Sequence, residues 1–145
     1  MIQLREIDTS NLREILRLKV HPAQEDFVAP NAVSIAQAYF HRDNAWFRGI
    51  YDGDTPVGFV MLDDKPQVPS YWLWRFMIDA AHQRKGYGRQ ALELVFAHLR
   101  TRPGATEMFT SVVDKPGGPG RFYEGLGFAY TGAIDEGERV LRRPL

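Results

Sequence analysis

The chain has 145 residues, enough for one domain with a proper core and too few for two comfortable ones. Its 18 Lys and Arg balance 18 Asp and Glu, so no bulk field favours nucleic acid or an anionic membrane surface. The absence of cysteine excludes disulfides, thiolate nucleophiles and cysteine metal sites together. No segment approaches the roughly 18 apolar residues of a membrane span, and residues 1–6 lack the apolar core of a signal peptide. The expectation is a cytoplasmic protein forming a single domain over residues 1–145.

Residues 2–7 alternate apolar and polar side chains and predict a first strand. Thr9, Ser10 and Asn11 supply N-cap chemistry for a helix carrying Leu12, Ile15, Leu16 and Leu18, which His21-Pro22 ends. Residues 23–27 are polar and read as a loop. After Pro30-Asn31, a second helix places Val33, Ile35, Ala36, Tyr39 and Phe40 close to one face. Residues 46–51 and 57–62 predict two strands joined around Asp52-Gly53, a hairpin signal. Pro66 and Pro69 punctuate a loop before an apolar, aromatic strand at 71–78. A helix at 89–101 carries Leu92, Val95, Phe96 and Leu99 at helical spacing, and Pro103-Gly104 stops it. Residues 106–113 read as a strand, and Pro116 to Gly120 as a loop. A short helix at 121–126 ends at Gly127, which suits a left-handed C-cap. Strands at 128–131 and 139–142 flank the turn Asp135-Glu136-Gly137. The order β α α β β β α β α β β defines an α/β (α+β) domain without repeats or linkers.

The most informative stretch is Gln83-Arg84-Lys85-Gly86-Tyr87-Gly88, because a strand ends before it and a helix begins after it. A helix start offers unpaired N–H groups and a positive dipole end, which together suit phosphate. Glycines let backbone approach an anion closely, and Arg84, Lys85 and Arg89 add positive charge. Competing phosphate loops fit poorly. No Gly-x-x-x-x-Gly-Lys-Ser/Thr string exists, and Gly86-x-Gly88-x-x-Ala91 lacks the acidic strand end that a dinucleotide fold places about 20 residues later.

In this setting, Gln/Arg-x-x-Gly-x-Gly/Ala resembles the acyl-CoA pyrophosphate loop of the GNAT N-acetyltransferase superfamily. Phe122-Tyr123-Glu124-Gly125-Leu126-Gly127-Phe128 is similar to that family's second signature, Phe-Tyr-x-x-x-Gly-Phe. The resemblance implies a mixed, mostly antiparallel sheet splayed open between its two central strands and flanked by helices, with acetyl-CoA as co-substrate. It assigns the diphosphate to Arg84, Lys85, Gly86, Tyr87, Gly88 and Arg89. Backbone N–H groups of Phe76, Met77 and Ile78 would serve the acyl and pantetheine portions, and Tyr123 would act as general acid to the leaving sulfur.

The acceptor is less defined. Trp72 to Asp79, Gly132 to Glu138, and the early run Val20 to Val28 look like bacterial spermine/spermidine (diamine) N-acetyltransferases. Such enzymes often carry a carboxylate at the strand position held here by Trp74, so no general base carries over. Trp74 and Glu25 are candidate acceptor contacts, and Asp26, Asp63 and Asp64 can attract a polycation or simply keep the surface soluble. The leading expectation is transfer of acetyl to a small polyamine by direct attack in a ternary complex. The alternatives are a protein or antibiotic amine, or a CoA-binding module without turnover. The histidines have no metal-site spacing, neither nucleic acid nor membrane is expected as a partner, and a homodimer is compatible with the resemblance.

Overall fold

A computed structural model describes all 145 residues. Seven strands form one sheet: β1 (Ile2–Arg5), β2 (Ala45–Asp52), β3 (Thr55–Lys65), β4 (Ser70–Ile78), β5 (Glu107–Val112), β6 (Ala129–Asp135) and β7 (Glu138–Pro144). Their spatial order is β1-β2-β3-β4-β5-β7-β6. Every neighbouring pair is antiparallel except β4 and β5, which run parallel.

Strand alternation sorts the apolar residues onto two faces. Ile50, Val60, Leu62, Tyr71, Leu73, Met108 and Leu141 meet α3 (Tyr87–Arg100) through Leu92, Val95, Phe96 and Leu99. On the other face Tyr51, Phe59, Met61 and Met77 meet Ile15 of α1 (Leu12–Arg17) and Ala38 of α2 (Asn31–Tyr39). The centre of β3 is covered on both sides, so residues 57–62 read as a continuous apolar run. The last helix, α4 (Gly120–Glu124), lies with α3 and contributes Tyr123 to the same core.

Several boundaries differ from expectation for identifiable reasons. Helix α3 begins at Tyr87 and not at 89, because Gly86 takes a left-handed conformation (φ 80°) as its N-cap. Strand β3 runs on through Asp63 and Asp64 because β4 pairs with them, opposite Trp72 and Tyr71. Asp64 is 7% exposed and paired with Arg102 at 3.0 Å, so it serves the fold and not a polycation. Strands β6 and β7 extend almost to their shared turn, across an irregularity between Tyr130 and Ile134. The loop at 23–27 begins inside a 3-10 turn, Pro22–Gln24.

Two irregularities position the site. Strands β4 and β5 pair only at Trp72–Phe109 and Leu73–Thr110. Beyond Leu73 they part, and the sheet opens. Along β3, Met61 faces Arg75 and Leu62 faces Leu73, leaving Trp74 as the extra residue of a bulge.

Candidate active site

The opening between β4 and β5 is the floor of a cleft of about 1420 Å³. Both edges of the split line it, together with the turn before α3, the loop at 23–27 and the start of β7. Of the residues singled out by sequence, Glu25, Trp74, Phe76, Met77, Ile78, Arg84, Gly86, Tyr87, Gly88, Arg89 and Tyr123 all border this space. Lys85 does not; its side chain lies exposed outside the cleft.

The parted edge of β4 carries backbone polar groups that β5 does not use. Which residues present them follows from alternation. The Asp79 N–H donates to the Val57 carbonyl at 2.8 Å, so Asp79 and Met77 turn their peptide groups toward β3. Phe76 and Ile78 therefore turn theirs into the split. In agreement, the Ile78 carbonyl accepts a bond from Gln83 Nε2 at 2.9 Å, away from β3. This corrects the expectation for Met77, whose amide faces β3. Its side chain packs in the α1/α2-side core, where Asn31 Nδ2 donates to its sulfur at 3.8 Å.

At the start of α3 the first in-helix bond runs from the Gln90 N–H to the Gly86 carbonyl at 3.2 Å. The N–H groups of Tyr87, Gly88 and Arg89 have no partner within the helix and point out of its N-terminal end. Arg84 (φ 62°) and Gly86 (φ 80°) both adopt left-handed backbone, curling the chain into a cradle just ahead of those amides. A left-handed non-glycine residue costs about 1–3 kcal/mol and occurs most often where function demands it. Gly88 allows a close approach of another kind. A Cβ there would stand 3.1 Å from Phe122 Cζ, so glycine lets α4 lie against the first turn of α3.

Two cradle side chains have structural partners. The Tyr87 hydroxyl donates to Asp52 Oδ2 at 2.7 Å, leaving this residue to serve the cradle through its amide. That bond holds the Asp52 carboxyl below its ordinary range. Arg89 Nη2 donates to the Gly125 carbonyl at 3.1 Å and ties α3 to the end of α4. A further contact has no counterpart among the sequence expectations. Gln83 and Gln24 exchange side-chain amide bonds of 2.8 and 3.1 Å, clamping the early loop to the cradle.

Tyr123 is 6% exposed, with Phe122 and Phe128 edge-on to its ring at 5.5 and 5.4 Å. Burial pushes its phenol well above the usual tyrosine range, and the neighbouring Thr110, whose hydroxyl donates to the Leu73 carbonyl at 3.1 Å, offsets this only in part. The phenol thus stays protonated at neutral pH and can donate toward charge developing on a neighbouring atom. A thiolate is a weaker base than such a phenolate, so beside a thiolate this phenol is able to donate a hydrogen bond while keeping its proton.

On the opposite face of the split, Trp74 meets His41 edge-on at 5.4 Å. Arg75 Nη2 donates to Gln37 Oε1 and Nη1 to the Trp74 carbonyl, each at 3.0 Å, while Nε is buried without a partner. Burial lowers this guanidinium's proton affinity and the charge of Glu138 works the other way. Glu25 stands exposed on the rim, and Asp26 pairs with Lys115 at 3.7 Å, joining the loop at 23–27 to the one after β5. Arg75 had a visible signal, as a lone charge in an apolar strand. Ser111 and Glu138, also on the cleft wall, had none.

A split central sheet with unpaired amides at a helix start and a buried phenol beside the split has the parts needed to hold an acyl-CoA. The chain belongs to the acetyltransferase (GNAT) family, whose pattern matches residues 2–128. It is 27% identical over 154 aligned positions to the spermine/spermidine N(1)-acetyltransferase of Bacillus subtilis (strain 168), covering 99% of both chains. Among solved structures it is similar to an acetyltransferase from Thermus thermophilus, with TM-score 0.77, 23% identity and coverage of 100% and 97%. It also resembles a PaiA N-acetyltransferase from Thermoplasma acidophilum in complex with coenzyme A, with TM-score 0.70, 16% identity and coverage of 100% and 99%. No helix is long and apolar enough to cross a membrane.

Proposed function

We propose that the chain transfers acetyl from acetyl-CoA to a primary amine of a polyamine such as spermidine or spermine, by direct attack in a ternary complex. The observation that carries this reading is the two-sided split. Tyr123 and the cradle stand toward α3 and α4, while Trp74 lies on the α1/α2 side; Glu25, Asp26 and Asp63 line the same cleft, Asp26 paired with Lys115 and Asp63 with Lys65 at 3.3 Å. Of these three carboxylates Glu25 alone has no lysine or arginine partner, and a free carboxylate at an acceptor entrance favours a cationic substrate over a neutral or anionic one. The similarity to a curated spermine/spermidine acetyltransferase along nearly the whole chain supports the same choice.

The thioester supplies an activated acetyl group. The amine nitrogen bonds to the acetyl carbon as the C–S bond breaks; of the two protons the ammonium loses, one ends on sulfur and one in solvent. The free amides of Tyr87, Gly88 and Arg89 hold the diphosphate and the left-handed turn shapes the pocket around it. Phe76 and Ile78 offer their N–H groups along the split, aimed at the carbonyl oxygen and the pantetheine amides. Tyr123 donates its hydrogen bond to the departing sulfur. Holding amine and carbonyl together on opposite sides of one opening removes the entropy of encounter from the barrier.

The test is acetyl-CoA-dependent release of free thiol with spermidine, spermine, an arylamine, an aminoglycoside and a peptide N-terminus as acceptors. Higher kcat/KM for the polyamines is the expected result. Turnover of the peptide or the aminoglycoside with none of the polyamines would overturn the substrate assignment.

A further inference from the structure

Strand β4 carries one charged side chain, Arg75, so the carboxylate needed to meet a cationic acceptor must come from elsewhere on the split. Strand β5 supplies the framework. Ser111 is the first residue beyond the last β4–β5 pair, Leu73–Thr110. Met108, Thr110 and Val112 are the buried positions of β5, and Met108 and Val112 pack toward α3. Phe109 and Ser111 alternate to the other face, where Phe109 stacks on Trp72 at 5.3 Å.

The β5–β7 register continues that face. Ser111 lies opposite Val140, and Glu138 is two residues along β7, hence on the same side. Ser111 Oγ donates to Glu138 Oε1 at 2.9 Å. The other carboxylate oxygen has no protein donor, and no Lys or Arg nitrogen lies within 4.0 Å to neutralise the group. Arg75 stands near enough for its guanidinium to feel Glu138's charge. Tyr123 and Thr110 occupy the α3 side of the same opening. A carbonyl held in the split would lose sulfur toward Tyr123 and be approached by nitrogen from the side of Glu138.

Building on the amine-acetyltransferase reading, we propose that Glu138 receives the cationic nitrogen of the acceptor. Oε2 accepts an N–H from the ammonium while Ser111 fixes the carboxylate through Oε1. Glu138 is then a specificity-determining residue, and Ser111 is a positioning residue that acts through it. The assignment explains how an acceptor site functions with Trp74 on β4 where a carboxylate would otherwise stand. The acidic group comes from β7, across the split, brought there by register.

The experiment first ranks the amine panel on the wild-type protein, then measures kcat, amine KM, acetyl-CoA KM and Tm for Glu138→Gln, Glu138→Asp and Ser111→Ala with the best acceptor. Glu93→Gln, which removes a carboxylate from the exposed side of α3, is the control. Loss of a charge-assisted hydrogen bond predicts an amine KM about 10–100-fold higher in Glu138→Gln. Acetyl-CoA KM and Tm should match the control, Glu138→Asp should recover part of the loss, and Ser111→Ala should raise amine KM by less. An amine KM in Glu138→Gln equal to the control's overturns the proposal. So does a parallel loss of Tm and acetyl-CoA affinity, which marks a structural role. A wild-type protein that prefers a peptide to polyamines removes the polyamine reading alone, and Glu138 is then judged on the peptide amine. A wild-type protein that acetylates no amine overturns both.

Discussion

Replacing Tyr123 with phenylalanine removes one oxygen from a ring that is 6% exposed and gripped by two aromatic neighbours. The ring's packing survives, so the stability change is at most that of one hydrogen bond from the phenol. That is about 1 kcal/mol, or a fall in Tm of about 3–4 °C for a domain of this size. The rate change is larger. Loss of a single preorganised donor to developing negative charge costs about 10²–10³ in kcat, roughly 2.7–4 kcal/mol.

Two features place the expectation at the lower end. A thiol ionises near pH 8.5, so CoA sulfur leaves partly unaided, and burial makes the Tyr123 phenol a weaker acid than free tyrosine. Thiol release follows the reaction with no protein background, since the chain has no cysteine. Titration calorimetry with acetyl-CoA and a thermal melt separate binding and stability from chemistry. A roughly hundredfold drop in kcat with unchanged acetyl-CoA affinity is the expected outcome. Turnover at the wild-type rate would reduce Tyr123 to a packing residue, and lost acetyl-CoA affinity would make it a binding one.

Two further outcomes follow from the backbone and from burial. Gly86→Val forces a β-branched side chain into left-handed backbone at φ 80°, with only Gln90 Nε2 nearby at 3.7 Å, so the strain reshapes the cradle without a core clash. Acetyl-CoA affinity should fall at least tenfold, by about 1.4 kcal/mol or more, while the fold's circular dichroism is retained; unchanged affinity would refute the cradle. His98 stacks on Trp46 at 4.3 Å with Nε2 buried and unpartnered, and burial lowers its pKa from the ordinary 6.5. Below that pH the unfolded chain takes up a proton that the folded chain resists, so stability present above pH 6.5 is lost as pH falls toward the depressed folded value. Melts at pH 7, 6 and 5 should show a falling Tm in the wild type and a flatter response in His98→Gln; equal slopes would refute the assignment.

Much of this molecule is legible in the order of its residues, because the features concerned are local. Apolar spacing along α3, the alternation of β1, the hairpin at Asp52-Gly53 and the strand–glycine–helix sequence around Gly86 depend on neighbours a few positions away. For the same reason the cradle and Tyr123 could be singled out, each lying inside a short contiguous motif.

What tertiary structure alone decided is register and divergence, where residues far apart in the chain meet. Nothing in the aromatic run of β4 marks where its pairing with β5 ends after two rungs, or that Trp74 is the bulged residue. Whether a peptide group faces β3 or the split depends on that register, which is why the amide of Met77 could not be told from those of Phe76 and Ile78. Asp63 and Asp64 are adjacent in sequence, yet one lines the cleft while the other is paired with Arg102 in the fold. Ser111 and Glu138 carry no motif, since a hydroxyl and a carboxylate 27 positions apart become partners only when β5 and β7 align. Local sequence sets which segments are strands and helices; the cooperative burial of both sheet faces sets which of their edges is left open.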